Sequence, residues 1–283
     1  MTTPMLKTDW NTTPTAHVEA AGTRFAYRRL GPDTGVPVVL LNHWGANLDN
    51  FDPRIVEGLA ADRPVYTLDY RGIGTSGGEA PLTIAAMADD MIAAIRALGL
   101  EAIDLIGFSL GGFVAQQILV AAPDLVRRAI LAGTGPAGGT GIDRVGAVSR
   151  PLILKGLLTF RDPKTYLFFT SSASGRHAAK AFLARLKERR TDRDKAVSLK
   201  VFQRQLKAIE AWGRQTAQPL ETVRQRVLVA NGHHDIMVPS ENSADLARRI
   251  PGAELVLYPD AGHGGIFQYH DAFLTKARTF LTA

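Results

Sequence analysis

The sequence predicts an α/β fold: a doubly wound, mostly parallel eight-stranded sheet with helices on both faces and a helical cap inserted into it. Three observations carry that expectation. Short continuous apolar runs such as PVVLLNHW (37–44) read as strands buried on both faces. Segments of helical period separate these runs, which implies parallel pairing with right-handed crossovers. Between residues 141 and 218 the alternation stops once, and helix-forming stretches such as HAAKAFLARLKERR (177–190) take its place.

Taken in order, residues 1 to about 15 are Thr-rich and aperiodic, as in a loose arm. HVEAAGTRFAYRRLG gives two short strands about the turn Ala21-Gly22, followed by the strand at 37–44. Pro53 to Ala61 has the length of a helix, and VYTLDYRG (65–72) is the next buried strand. Leu82 to Leu98 is amphipathic, with Ile84, Met91, Ile92 and Ile95 on one side and Asp89-Asp90 on the other. Leu105 and Ile106 end a strand, and Phe113, Val114, Gln117 and Ile118 recur at a helical period until Pro123. Strands at 126–133, 226–232 and 253–259 and helices at 240–249 and 270–281 complete the pattern, with no internal repeat and no low-complexity tract. The core is therefore expected from residues 1–140 and 219–283, and the inserted cap from 141–218.

Composition sets limits on the chemistry. With 283 residues and 46% hydrophobic content, the chain can bury a full core. It has no cysteine, which excludes disulfides, thiolate metal sites and cysteine nucleophiles. No apolar run approaches the roughly 20 residues of a membrane span, and MTTPMLKTDWNTTPT lacks the basic-then-apolar order of a signal peptide, so a cytoplasmic protein is expected. The net charge of +6 is uneven: residues 141–226 hold 19 Lys+Arg against 7 Asp+Glu, which makes them +12 and the remainder −6. LARLKERRTDRDK mixes both signs at short spacing, as solvated helix faces do, and its basic residues are expected to face outward.

One stretch asks for a chemical explanation. In LIGFSLGGFVAQQ (105–117) a serine stands at a strand-to-helix switch between Gly107 and Gly111. Glycines on both sides let strand and helix nearly touch, which lifts the Ser109 hydroxyl above the sheet edge and aims the positive end of the next helix at it. A serine nucleophile needs a base and a group to orient that base. NGHHDIMVP places Asp235 just past a later strand, and DAGHGG places His263 on a glycine-rich loop past the next. Imidazole suits proton transfer near neutral pH, and a buried carboxylate fixes its tautomer.

At this point the sequence resembles the α/β-hydrolase superfamily across nearly all of the chain outside the cap. GFSLGG is similar to that family's nucleophile elbow, DYRGIGTSGG (69–78) to its D-x-R-G-x-G-x-S loop, NGHHDIMVP to its acid turn and GHGG to its histidine loop. The resemblance implies Ser109 as nucleophile, His263 as base and Asp235 as orienting acid. It implies no cofactor and no metal. Serine at the elbow points to acyl chemistry on a small-molecule ester, thioester or lactone, where haloalkane dehalogenases and epoxide hydrolases carry aspartate. Cofactor-free haloperoxidase or perhydrolase activity, C–C bond hydrolysis and a weakly catalytic receptor are the other readings that the resemblance allows.

The resemblance further implies an oxyanion hole built from the N–H of Leu110 and one from the segment Asn42-His43-Trp44-Gly45-Ala46. Alignment on His43 puts Gly45 at the donor position, with Trp44 the alternative. The pocket is expected to be walled by Trp44, Phe108, Leu158, Phe169 and Met237, with 152–158 and 166–169 supplying the apolar cap surface. His43 is expected to be structural, His234 a neighbour of the acid, and His270 a surface or capping residue. Neither nucleic acid nor membrane is an expected partner, because no reader motif appears, the aromatics are not interleaved with the basic run and no apolar run is long enough to span a bilayer; a homo-oligomer is allowed.

Overall fold

The computed structural model describes residues 9–282. Its eight strands form one sheet in the order β1-β2-β4-β3-β5-β6-β7-β8, where β1 is Ala16–Ala20, β2 Thr23–Leu30, β3 Val38–Leu41, β4 Val65–Leu68, β5 Ile103–Phe108, β6 Val126–Ala132, β7 Arg226–Gly232 and β8 Glu254–Tyr258. Strand β2 is antiparallel to both β1 and β4, and every other pair is parallel. Every residue of β3 and β5 is buried, which is why β3 reads as an unbroken apolar run and β5 as one interrupted only by Asp104, whose carboxylate pairs with Arg127. Helices α1 (Pro53–Leu59), α2 (Ile84–Ala97) and α3 (Leu110–Ala121) follow strands β3, β4 and β5. Pro53 opens α1 behind the capping carboxylate of Asp52, and Thr83 caps α2, so Leu82 falls outside the helix expected to begin there.

Between β6 and β7 the chain forms α4 (Val145–Leu158), α5 (Lys164–Leu167), α6 (Ala173–Arg185) and α7 (Leu199–Arg214). Helix α8 (Glu241–Arg249) joins β7 to β8, and α9 (Gly265–Gln268) and α10 (His270–Thr282) end the chain. Among the described residues no helix is long and apolar enough to cross a membrane.

Three expectations change here. The arm beginning at residue 1 lies outside the described residues as far as residue 8, but its described part is docked. Trp10 is buried, donates its N–H to Glu57 Oε1 at 3.1 Å and packs edge-on against Phe51. The basic residues of 141–218 do not all face outward: Arg189 is only 4% exposed and donates to the carbonyls of Trp10, Asn11 and Thr13, while Arg185 makes a two-pronged ion pair with buried Asp52 at 2.9 and 2.6 Å. A guanidinium out of water needs such partners, and here they tie the end of α6 to α1 and the stretch just after it to the arm. Finally, Leu158 is 72% exposed on α4, together with Leu154 and Leu157, so that end of the helix turns its apolar side chains to solvent.

Candidate active site

The parallel strands deliver three side chains to one edge of the sheet. Ser109 follows β5 with φ +56° and ψ −116°, a conformation outside the comfortable regions for a residue with a Cβ. Its N–H donates to Ala132 O at 2.9 Å and its carbonyl accepts from Thr134 Oγ1 at 3.1 Å, which holds the turn. The flanking glycines are required by contact. A Cβ on Gly107 would lie 2.2 Å from Gly111 O, and one on Gly111 would lie 2.2 Å from Leu41 O.

Asp235 follows β7 and is buried. Its Oδ1 accepts the N–H groups of Met237 and Val238 at 2.8 and 3.0 Å, leaving Oδ2 for the imidazole. His263 follows β8 and donates Nδ1–H to that Oδ2 at 2.7 Å; its Nε2 accepts from Ser109 Oγ at 2.9 Å. Because a carboxylate can only accept, the proton must sit on Nδ1 and the lone pair on Nε2 must face the hydroxyl. The ring is held between Phe108 and Phe168, with centroids 5.0 and 5.3 Å away. The peptide of Gly264 donates to Phe168 O at 2.7 Å, so the stretch after α5 fixes the histidine loop.

Above this chain of hydrogen bonds lies a cavity of about 210 Å³. Ser109, His263, His43, Trp44 and Met237 line it from the core side, and Ile153, Pro163, Lys164, Leu167, Phe168 and Phe202 from the inserted helices. Of the expected walls, Trp44 and Met237 are there. Phe108 instead backs the His263 ring, Phe169 is buried against Phe182 at 5.7 Å, and Leu158 faces solvent. Lys164 also lines the cavity, its Nζ 3.4 Å from Asp162 Oδ2, so one lysine of the basic segment points inward rather than out.

His43 is fully buried and part of the wall. Its Nδ1–H donates to Trp44 O at 2.8 Å, and its Nε2 has no partner. Burial, and next the nearby Lys164 ammonium, push its pKa down to about 3, so the ring is neutral at all working pH values. His234 is exposed beside Asp235, and His270 is at the surface on the first turn of α10, where its ring pairs with Asp271.

The two amides weighed for the first oxyanion donor are now distinct. Gly45 N–H, the one that alignment on His43 puts at the donor position, donates to Gln205 Oε1 at 2.9 Å. Among the described residues no hydrogen bond engages the Trp44 N–H. Leu110 is the first residue of α3, where a helix leaves its N–H without an internal acceptor. Ile153, Leu167 and Phe168 fall within the stretches 152–158 and 166–169 expected as apolar wall, whereas Gln205, Phe202 and Lys164 were missed altogether. The spacing of the apolar residues in α7 is a signal that could have found the helix, but no local pattern says which of its side chains reaches residue 45.

The profile of the alpha/beta hydrolase fold family matches residues 36–268. The chain belongs to that family. An alpha/beta hydrolase fold protein from Chitinophaga pinensis is 37% identical, with 96% of this chain and 98% of that one superposing at a TM-score of 0.91. A provisionally named carbamate hydrolase, RutD, from Agrobacterium fabrum is 28% identical over 259 residues, which are 88% of this chain and 94% of the relative. A pimeloyl-(acyl-carrier protein) methyl ester esterase from Neisseria meningitidis is 28% identical over 263 residues, 90% of this chain and 96% of the relative. As an alpha/beta hydrolase with hydrolase relatives along its length, the chain is an enzyme of the hydrolase type.

Proposed function

We propose that this chain hydrolyses a carboxylic ester, thioester or lactone of a small molecule through an acyl-enzyme on Ser109. The observation that carries the reading is the unbroken relay from Ser109 Oγ to His263 to Asp235 at the floor of a cavity. In the first half-reaction Ser109 Oγ attacks the carbonyl carbon as His263 Nε2 takes the hydroxyl proton, and Asp235 stabilises the imidazolium that forms. The carbonyl oxygen becomes an oxyanion received by the N–H groups of Leu110 and Trp44. Collapse breaks the bond to the leaving group, which takes the proton from His263. Water, deprotonated by the same imidazole, then attacks the acyl-enzyme and releases the acid and the free serine.

The cavity of about 210 Å³ is smaller than the roughly 300–1,000 Å³ of pockets for drug-sized ligands, which favours short acyl groups. Relatives named for a methyl ester and for a carbamate act on a carbonyl with a heteroatom leaving group, which supports the same bond class here. The test is a series of p-nitrophenyl esters from acetate to octanoate, run beside lactone, thioester, perhydrolysis and C–C substrates, with Ser109→Ala as control. Turnover of short esters that vanishes in the variant supports the reading. Turnover confined to perhydrolysis or C–C cleavage, or surviving Ser109→Ala, overturns it.

A further inference from the structure

The segment 42–46 is fixed far more tightly than a link between a strand and the next helix requires, and most of its bonds converge on one residue. The peptide joining Trp44 to Gly45 is tied at both ends. Its carbonyl accepts Nδ1–H of His43 at 2.8 Å, and its N–H donates to Gln205 Oε1 at 2.9 Å. The Trp44 indole donates to Phe202 O at 2.7 Å and stacks on the Phe202 ring at 4.1 Å. The peptide before it is held as well, through Ala46 N–H to His43 O at 3.3 Å. Among the described residues no hydrogen bond engages the Trp44 N–H.

Two of these partners, Phe202 and Gln205, stand on α7, about 160 residues further along the chain. Gly45 has φ +69°, and a Cβ there would lie 2.7 Å from the Phe202 ring, so glycine is what lets α7 come this close. Glycine also brings a freely rotating backbone, and the acceptor on Gln205 removes that freedom. Gln205 is fully buried, and its Nε2 has no partner. An apolar residue would avoid that unsatisfied donor, so its presence is explained by what its Oε1 holds.

We propose that Gln205 is a positioning residue: by clamping Gly45 N–H it sets the direction of the Trp44 N–H, so that a helix of the inserted segment completes the oxyanion hole. This rests on the acyl-enzyme reading above. A donor must point at the place where the oxyanion forms and not merely lie near it, so a loosened peptide lowers kcat more than it changes substrate binding.

The test compares the wild type with Gln205→Leu, which removes the acceptor at similar size, and Gln205→Glu, which keeps one. For each, kcat and KM on p-nitrophenyl acetate, affinity for a trifluoromethyl ketone and thermal unfolding are measured. The ketone reports the hole directly, because its adduct with Ser109 carries an oxyanion. Removing one oxyanion donor costs about 10²–10³ in kcat, and misaiming one is expected to cost roughly tenfold to a hundredfold. Gln205→Leu should show that loss with KM within about twofold, and ketone affinity should fall by the same factor. In Gln205→Glu, kcat should approach the wild-type value where the carboxyl is neutral and fall as it ionises, since a negative charge then lies beside the hole.

A Gln205→Leu enzyme that keeps kcat and ketone affinity while only melting earlier overturns the clamp. Should that variant not fold, a Gln205→Glu to wild-type kcat ratio that stays flat with pH overturns it instead. A wild type that neither hydrolyses the ester nor reacts with fluorophosphonate at Ser109 would bring down the acyl-enzyme reading itself. A wild type that does both beside an unimpaired Gln205→Leu enzyme brings down the clamp alone.

Discussion

Replacing Asp235 by asparagine tests the relay at its most constrained point. Both carboxylate oxygens are spent: Oδ1 accepts two peptide N–H groups at 2.8 and 3.0 Å, and Oδ2 accepts Nδ1–H of His263 at 2.7 Å. An asparagine has only one acceptor atom. If its oxygen stays with Met237 and Val238, its NH₂ group meets Nδ1–H, and the imidazole must move its proton to Nε2 to avoid two facing donors. Nε2 then cannot take the Ser109 proton. The opposite rotamer is worse, because NH₂ would face two buried peptide donors. The same substitution in the serine-protease triad that serves as the general template lowers kcat about 10⁴-fold, and a loss of that order is expected here. The assay is kcat/KM on p-nitrophenyl acetate beside thermal unfolding, since a folded but inactive variant separates tautomer from collapse. Retention of more than about a tenth of wild-type kcat/KM in Asp235→Asn would refute the assignment.

Three further outcomes follow from the same structure. His43 is held neutral with a pKa lowered from 6.5 to about 3, chiefly by burial. Between those values the unfolded chain takes a proton that the folded one refuses, so stability is lost as pH falls, by about 3 kcal/mol at pH 4. Urea unfolding midpoints from pH 7 to 4 should fall less steeply in His43→Gln, and an unchanged slope would contradict the reading. Ile153→Ala and Leu167→Ala enlarge the cavity and should move the preferred acyl chain upward, whereas Leu158→Ala, 72% exposed, should leave it unchanged in the p-nitrophenyl series. Activity should survive exhaustive chelation, because side chains and amides complete the acyl mechanism; loss restored by zinc or manganese would argue for a metal.

The sheet and the three relay residues were legible because each is announced locally. A doubly buried strand is an unbroken apolar run, and Ser109, Asp235 and His263 each stand on a turn with its own residues: glycines about the serine, Pro239 after the acid, glycines about the histidine. What the sequence concealed depends on contacts between distant segments. Arg185 looks like one more cation of a solvated helix until it meets Asp52, 133 residues earlier. Leu158 looks like pocket wall, but α4 and α5 pack so that Ile153 and Leu167 face the cavity and Leu158 does not. Whether the amide of Gly45 is bonded or free depends on a single glutamine from α7. Alignment on His43 left both amides open because a one-residue shift along an irregular segment leaves no periodic trace.

The central claim is that Ser109 is the nucleophile, and the most direct measurement of it is intact-protein and peptide mass spectrometry after treatment with a fluorophosphonate. The account predicts one adduct per chain, located on Ser109, formed in step with loss of ester hydrolysis, and absent from Ser109→Ala and strongly slowed in His263→Gln. An adduct on a different residue, or an enzyme fully labelled at Ser109 that still turns over its ester, would contradict it.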